Sequence, residues 1–80
     1  MGLAKSEGEI GEKASRFLKA ELKRANVTYE ELAKRLKKHG LPNETKDSIK
    51  AKLMRGTFAA TFMLATIAAL EMEGVKLEDL

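Results

Sequence analysis

Cysteine is missing from this chain, and histidine occurs once, at His39. The first absence removes disulfides, thiol nucleophiles and cysteine-based metal sites. The second removes the usual nucleophile–histidine arrangements. His39 stands in a lysine-rich helix end, where capping or simple exposure suits it better than ligation. Glu30 and Glu31 are adjacent, so they do not share a helix face as a carboxylate pair would. The glycines are scattered as helix stops and build no phosphate-cradling loop. The residues therefore predict no enzyme, no cofactor, no metal and no small-molecule substrate.

Long apolar runs are also lacking. The longest, Phe58 to Leu70, falls short of the ~20 residues a membrane span requires. The opening MGLAKSEGEIGEK has no apolar core of the secretory kind. A cytoplasmic protein with no membrane partner is expected. With 80 residues the chain makes one domain. A domain this small buries only roughly 60–65% of its unfolded surface. Helix packing or self-association must supply the stability that disulfides cannot.

What the chain does have is positive charge, unevenly placed. Thirteen of the fifteen Lys and Arg residues lie between Lys13 and Arg55, against five of the twelve Asp and Glu. Both ends of the chain are acidic by comparison. Such asymmetry points to an anionic partner, although lysine-rich helix faces are often merely solvated.

Residues 1–9 are small and polar and are expected to be flexible; residues 10–80 read as a single helical domain. Ile10, Ala14, Phe17, Leu18, Leu22 and Ala25 keep a helical period, which predicts a first helix from about Gly11 to Ala25. Asn26 suits the left-handed position after it. Thr28 and Glu31 form a capping-box pattern, with Val27 and Leu32 as its hydrophobic staple. The second helix runs to about His39, with Leu32, Ala33 and Leu36 inward and Lys34, Arg35, Lys37 and Lys38 outward. Gly40 and Pro42 stop it. Asn43, Glu44 and Thr45 are candidate caps for a third helix, Lys46 to Met54, with Ile49 and Leu53 inward. Arg55-Gly56 closes it. A fourth helix starts at Thr57 or Ala59 and runs to about Met72. It is apolar nearly all round, so burial on more than one side is expected. The sequence places Phe58, Phe62, Met63, Leu64 and Ile67 in a homodimer interface. The alternative is closure by Val75, Leu77 and Leu80 of the same chain. No period-2 stretch predicts a strand.

The second and third helices are the one constellation with a mechanism. In a helix-turn-helix the second of the pair lies in the major groove while the first braces on the backbone. Lys46, Ser48, Lys50, Lys52 and Arg55 would face double-stranded DNA. Amides near Thr28 and Tyr29 would meet a phosphate through the helix dipole. A lysine-dominated face argues for backbone binding more than for a sharp operator.

From Asn26 onward the chain resembles the lambda-repressor-like (Cro/C1-type) helix-turn-helix superfamily. The resemblance is carried by Thr28-Tyr29-Glu30-Glu31-Leu32-Ala33-Lys34-Arg35-Leu36, by Arg55-Gly56 and by Ile67-Ala68-Ala69-Leu70. More narrowly, FLKAELKRANVTYEELAKRL and KLMRGTFAATFMLATIAAL resemble a family of small uncharacterised bacterial proteins, a domain of unknown function with this expected fold. The resemblance implies an all-α, four- to five-helix lambda-repressor-like bundle. Its helix-turn-helix has an enlarged helix 2–helix 3 connection, because KHGLPNET exceeds the short turn usual in that superfamily. Met54 also replaces the glutamate common before the Arg-Gly pair. Two functions compete: a DNA-binding transcriptional regulator acting as a homodimer, and a helical protein–protein interaction module without nucleic-acid binding.

Overall fold

The computed structural model describes residues 5–76 and residue 80. Among them are four helices and no strand: α1 (Glu7–Arg24), α2 (Tyr29–Lys37), α3 (Lys46–Arg55) and α4 (Ala60–Ala69). Among the described residues no helix is long and apolar enough to cross a membrane. The expected all-α bundle is what forms.

Each boundary has a local cause. Ser6 accepts the Glu9 amide and starts α1 earlier than its apolar period does. The chain is thus helical from Glu7, inside the stretch expected to be flexible; residues 1–4 lie outside the described residues. Asn26 ends α1 in the left-handed region at φ 58°. The Val27 amide then reaches back to the Leu22 carbonyl at 2.9 Å, which closes a Schellman motif. Thr28 accepts the Glu31 amide at 3.1 Å and starts α2. The reciprocal capping box occurs instead on α3, where Thr45 and Ser48 exchange bonds of 3.1 and 2.8 Å. Gly40 at φ 87° turns the chain after α2. That helix ends sooner than expected, at Lys37.

α4 departs furthest from expectation. It begins at Ala60, its N-cap Ala59 offering no side-chain bond, and stops at Ala69, short of Met72 and Gly74. Glu71 takes the left-handed position at φ 57°, and the Met72 amide bonds the Ile67 carbonyl at 3.1 Å. Capping by a non-glycine residue here is strained. Arg35 donates to the Ala69 carbonyl, two residues before Glu71, at 3.1 Å. Arg35, expected to point outward, is therefore half-buried and ties α2 to the end of α4.

The core gathers Leu18 and Leu22 of α1, Leu32 and Leu36 of α2, Ile49 and Leu53 of α3, and Phe62, Ala65 and Ala69 of α4, together with Val27. α2 packs on both α3 and α4, and α1 packs on α3. Phe62, expected at a subunit interface, is only 2% exposed within the single chain. A ring already covered has no surface to offer a partner. Thr66 beside it is fully buried, its hydroxyl donating to the Phe62 carbonyl at 2.8 Å. Of the tail expected to close α4, Leu77 lies outside the described residues. Leu80 lies beside α1, where Lys13 donates to its carbonyl at 3.1 Å.

α1 meets the end of α3 backbone to backbone. A Cβ built on Gly11 would strike the Gly56 carbonyl oxygen. Gly8, one turn earlier, has nothing closer than the Ser6 hydroxyl at 3.8 Å. Gly11→Ala is therefore expected to destabilise the protein by about 1–3 kcal/mol through overpacking. Gly8→Ala should be neutral or stabilising by up to about 1 kcal/mol, from helix propensity alone. Urea unfolding of the two variants checks the contrast; equal midpoints would remove the glycine contact as a constraint.

Candidate nucleic-acid interface

α3 turns Ile49 and Leu53 to the core, so its opposite side is set by helical geometry. Lys46, Asp47, Lys50, Ala51, Met54 and Arg55 are all exposed. Lys46, Lys50 and Arg55 are exposed, with Lys46 and Lys50 one turn apart and Arg55 on the opposite side of the helix from Lys46. Ser48 and Lys52 are not. They sit on the flank next to Glu44, in the connection that precedes the helix.

The Lys52 ammonium donates to both Glu44 carboxylate oxygens, at 2.8 and 2.7 Å. Ser48 donates to Glu44 Oε1 at 2.7 Å. The Lys52 and Glu44 side chains are 24% and 13% exposed. The ammonium also lies 5.4 Å from the centroid of the Phe62 ring, a cation–π distance. Phe58 meets Phe62 edge to face at 5.3 Å. Lys52 is thus a structural cation that pins the long connection to α3 and the core. It is spent before any phosphate arrives.

Burial pushes the Glu44 carboxyl upward, but hydrogen bonds from Lys52 and Ser48, with the Lys52 charge, hold it below its ordinary value. The sign of the linkage follows. A carboxyl whose pKa is lower in the folded chain stabilises it fully above the ordinary glutamate range, about 4.3. That contribution is lost as pH falls through the folded value.

At the start of α2, Thr28 uses its hydroxyl as the cap, and Tyr29 is half-buried against the core. Glu30 and Glu31 fill the same turn. Their carboxylates already complement the dipole, which leaves this terminus poor for a phosphate. Lys34, Lys37, Lys38 and His39 are exposed along and beyond α2.

α4 buries Phe62, Ala65, Thr66 and Ala69 and leaves Thr61, Leu64 and Ala68 outside. Leu64 is 66% exposed, and Met63 and Ile67 flank it half-buried. Phe58 is half-buried against the core. Helical spacing signalled Asp47, Ala51 and Met54 on the outward side of α3, since 47, 50/51 and 54 share a face. Counting basic residues instead of following the period is what missed them.

These elements define a small all-α bundle that presents a capped, basic third helix. A family model described as a domain of unknown function (DUF6471) matches residues 10–75, and the chain belongs to that family. No curated protein and no solved structure matches it.

Glu44→Gln should cost about 1.5–3 kcal/mol at neutral pH, the worth of hydrogen bonds to a charged group. It should also flatten the loss of stability below about pH 4.3. Unfolding midpoints across that range, compared with the parent chain, measure both effects.

Proposed function

We propose that this protein binds double-stranded DNA through α3, as a helix-turn-helix of lambda-repressor-like type, and regulates transcription as a homodimer. The observation that carries the reading is the exposed side of α3 with Asp47, Lys50, Ala51 and Met54 along it, Lys46 at one margin and Arg55 at the opposite margin, braced from behind by α2. A basic helix with a small residue at its middle fits close approach to a groove. The enlarged connection does not leave α3 loose, because Glu44 and Lys52 anchor it. Ser48 and Lys52, engaged in that anchor, have no part in the contact. Lys46, Lys50 and Arg55 supply the phosphate contacts that set affinity.

A single copy with so few contacts would bind at roughly 10⁻⁴ to 10⁻⁶ M near physiological salt. Two copies joined through Leu64 and Ala68, with Met63 and Ile67 at the margin and Phe58 nearby, double the contacts and present two helices to one duplex. The second reading, a protein-interaction module, is favoured by Met54, 71% exposed on the same face as the lysines. Asp47 beside it also works against phosphate.

Replacing both Lys46 and Lys50 by Ala should weaken duplex binding for all sequences and lower the salt slope by about 1.8, at 0.9 per lost contact. Binding unchanged in a salt titration would refute the assignment of α3. Leu64→Asp should reduce the solution mass to that of one chain while the helix content stays, since that side chain is outside the core. A folded variant of unchanged mass would remove α4 from the interface.

A further inference from the structure

A groove of about 410 Å³ runs between α1 and the C-terminal end of α3. Arg16 and Lys19 come to it from α1, and Arg55 from α3. One carboxylate, Glu12, stands among these three cations. It holds Arg16 only at 3.8 Å, with both side chains three-quarters exposed. Exposed pairs of this kind are weak, so an incoming anion competes for the guanidinium. The backbone approach of Gly11 and Gly56 brings the two elements close enough to share one ligand.

A second observation is independent of the charges. Ser15 forms part of the groove wall and is 5% exposed, and its hydroxyl has no hydrogen-bond partner among the described residues. An unmade bond at a buried polar group costs stability. Such a group beside three cations suits a ligand that accepts hydrogen bonds and carries negative charge. The carbonyl end of α3 opposes an anion here, which is why the site needs several donors. Two guanidinium forks and an ammonium match the geometry of a phosphate better than that of a halide.

We propose that this groove binds a phosphate group, with Arg16, Lys19 and Arg55 as its charged donors and Ser15 as a hydroxyl donor. A duplex backbone and free phosphate share that chemistry. The duplex source rests on the DNA-binding reading given above; the free-anion source does not.

The test follows amide chemical shifts of the full chain by NMR. The chain is titrated with inorganic phosphate against chloride at equal ionic strength, and separately with a short mixed-sequence duplex. Phosphate should move the amides of Ser15, Arg16, Lys19, Arg55 and Gly56, and chloride should not. Arg16→Gln with Lys19→Gln, both surface changes, should weaken phosphate binding by about tenfold or more, as loss of two charge-assisted bonds would. Ser15→Ala should weaken it severalfold while leaving the thermal midpoint unchanged or raised, a combination that a packing role for Ser15 would not give.

With the duplex, the double variant should lower the salt slope by about 1.8. Phosphate binding without duplex binding keeps the groove and removes the DNA reading. Duplex binding through Lys46 and Lys50, with the groove amides still under both probes, keeps the DNA reading and overturns the groove. Groove shifts that persist unchanged in the double variant overturn it as well.

Discussion

The contact between Gly11 and Gly56 sets the arrangement on which the other elements depend. Gly56 serves twice at one position. Its φ of 72° ends α3 and sends the chain toward α4. The same residue lets α1 cross the end of α3 at backbone distance, because neither glycine carries a Cβ. Leu18 and Leu22 then reach the shared core, and α3 is held at both ends: by α1 at Gly56 and by Glu44 near its start. A chain without disulfides has few other ways to fix a ten-residue helix.

The Glu44–Lys52 pair shows a trade within a basic helix. Removing two charges from water is costly, and the attraction between them offsets that only with good geometry. Here the geometry is good: two short bonds from the ammonium, a third from Ser48, and an aromatic face beside the cation. The pair ties the KHGLPNET connection to the Ser48 and Lys52 flank of α3, which leaves Lys46 and Lys50 on the other; Arg55, one turn beyond Lys52, follows the anchored flank.

Much of this was legible in the residues. Thr28, Thr45, Asn26, Gly40 and Gly56 marked helix ends through cap chemistry that acts over a few residues. The apolar period placed Leu18, Leu22, Leu32, Leu36, Ile49 and Leu53 correctly, because a helix fixes which side chains share a face. What escaped were choices made between distant segments. Arg35 reads as an outward cation until the end of α4 comes within its reach. Lys52 reads as one more lysine until Glu44 folds back to it. Phe62 sits in a run so evenly apolar that the sequence alone does not say which side of α4 meets the core. Gly11 looks like an ordinary weak point in a helix; its partner is forty-five residues away. For the candidate site, charge indicated the region, and only the wheel of α3 separates the residues that face outward from those held within the chain.

The spacing of the outward residues bears on the DNA-binding reading. Lys46 and Arg55 stand at opposite ends of α3, about 13 Å apart along the axis at 1.5 Å per residue. The major groove is about 12 Å wide. A helix lying across it would bring one basic end to each flanking backbone, with Lys50 between them. Asp47 and Ala51 would then face the base edges. Ala51 is small enough to approach a thymine methyl, and Asp47 is the kind of acceptor that meets a cytosine amino group. The carboxylate that weakens the case for a pure backbone binder is thus a candidate for sequence choice. Arg55 belongs to both surfaces, the outward face of α3 and the groove shared with α1. A backbone running past that end of the helix would meet Arg16 and Lys19 next, which extends the contact without enlarging the fold.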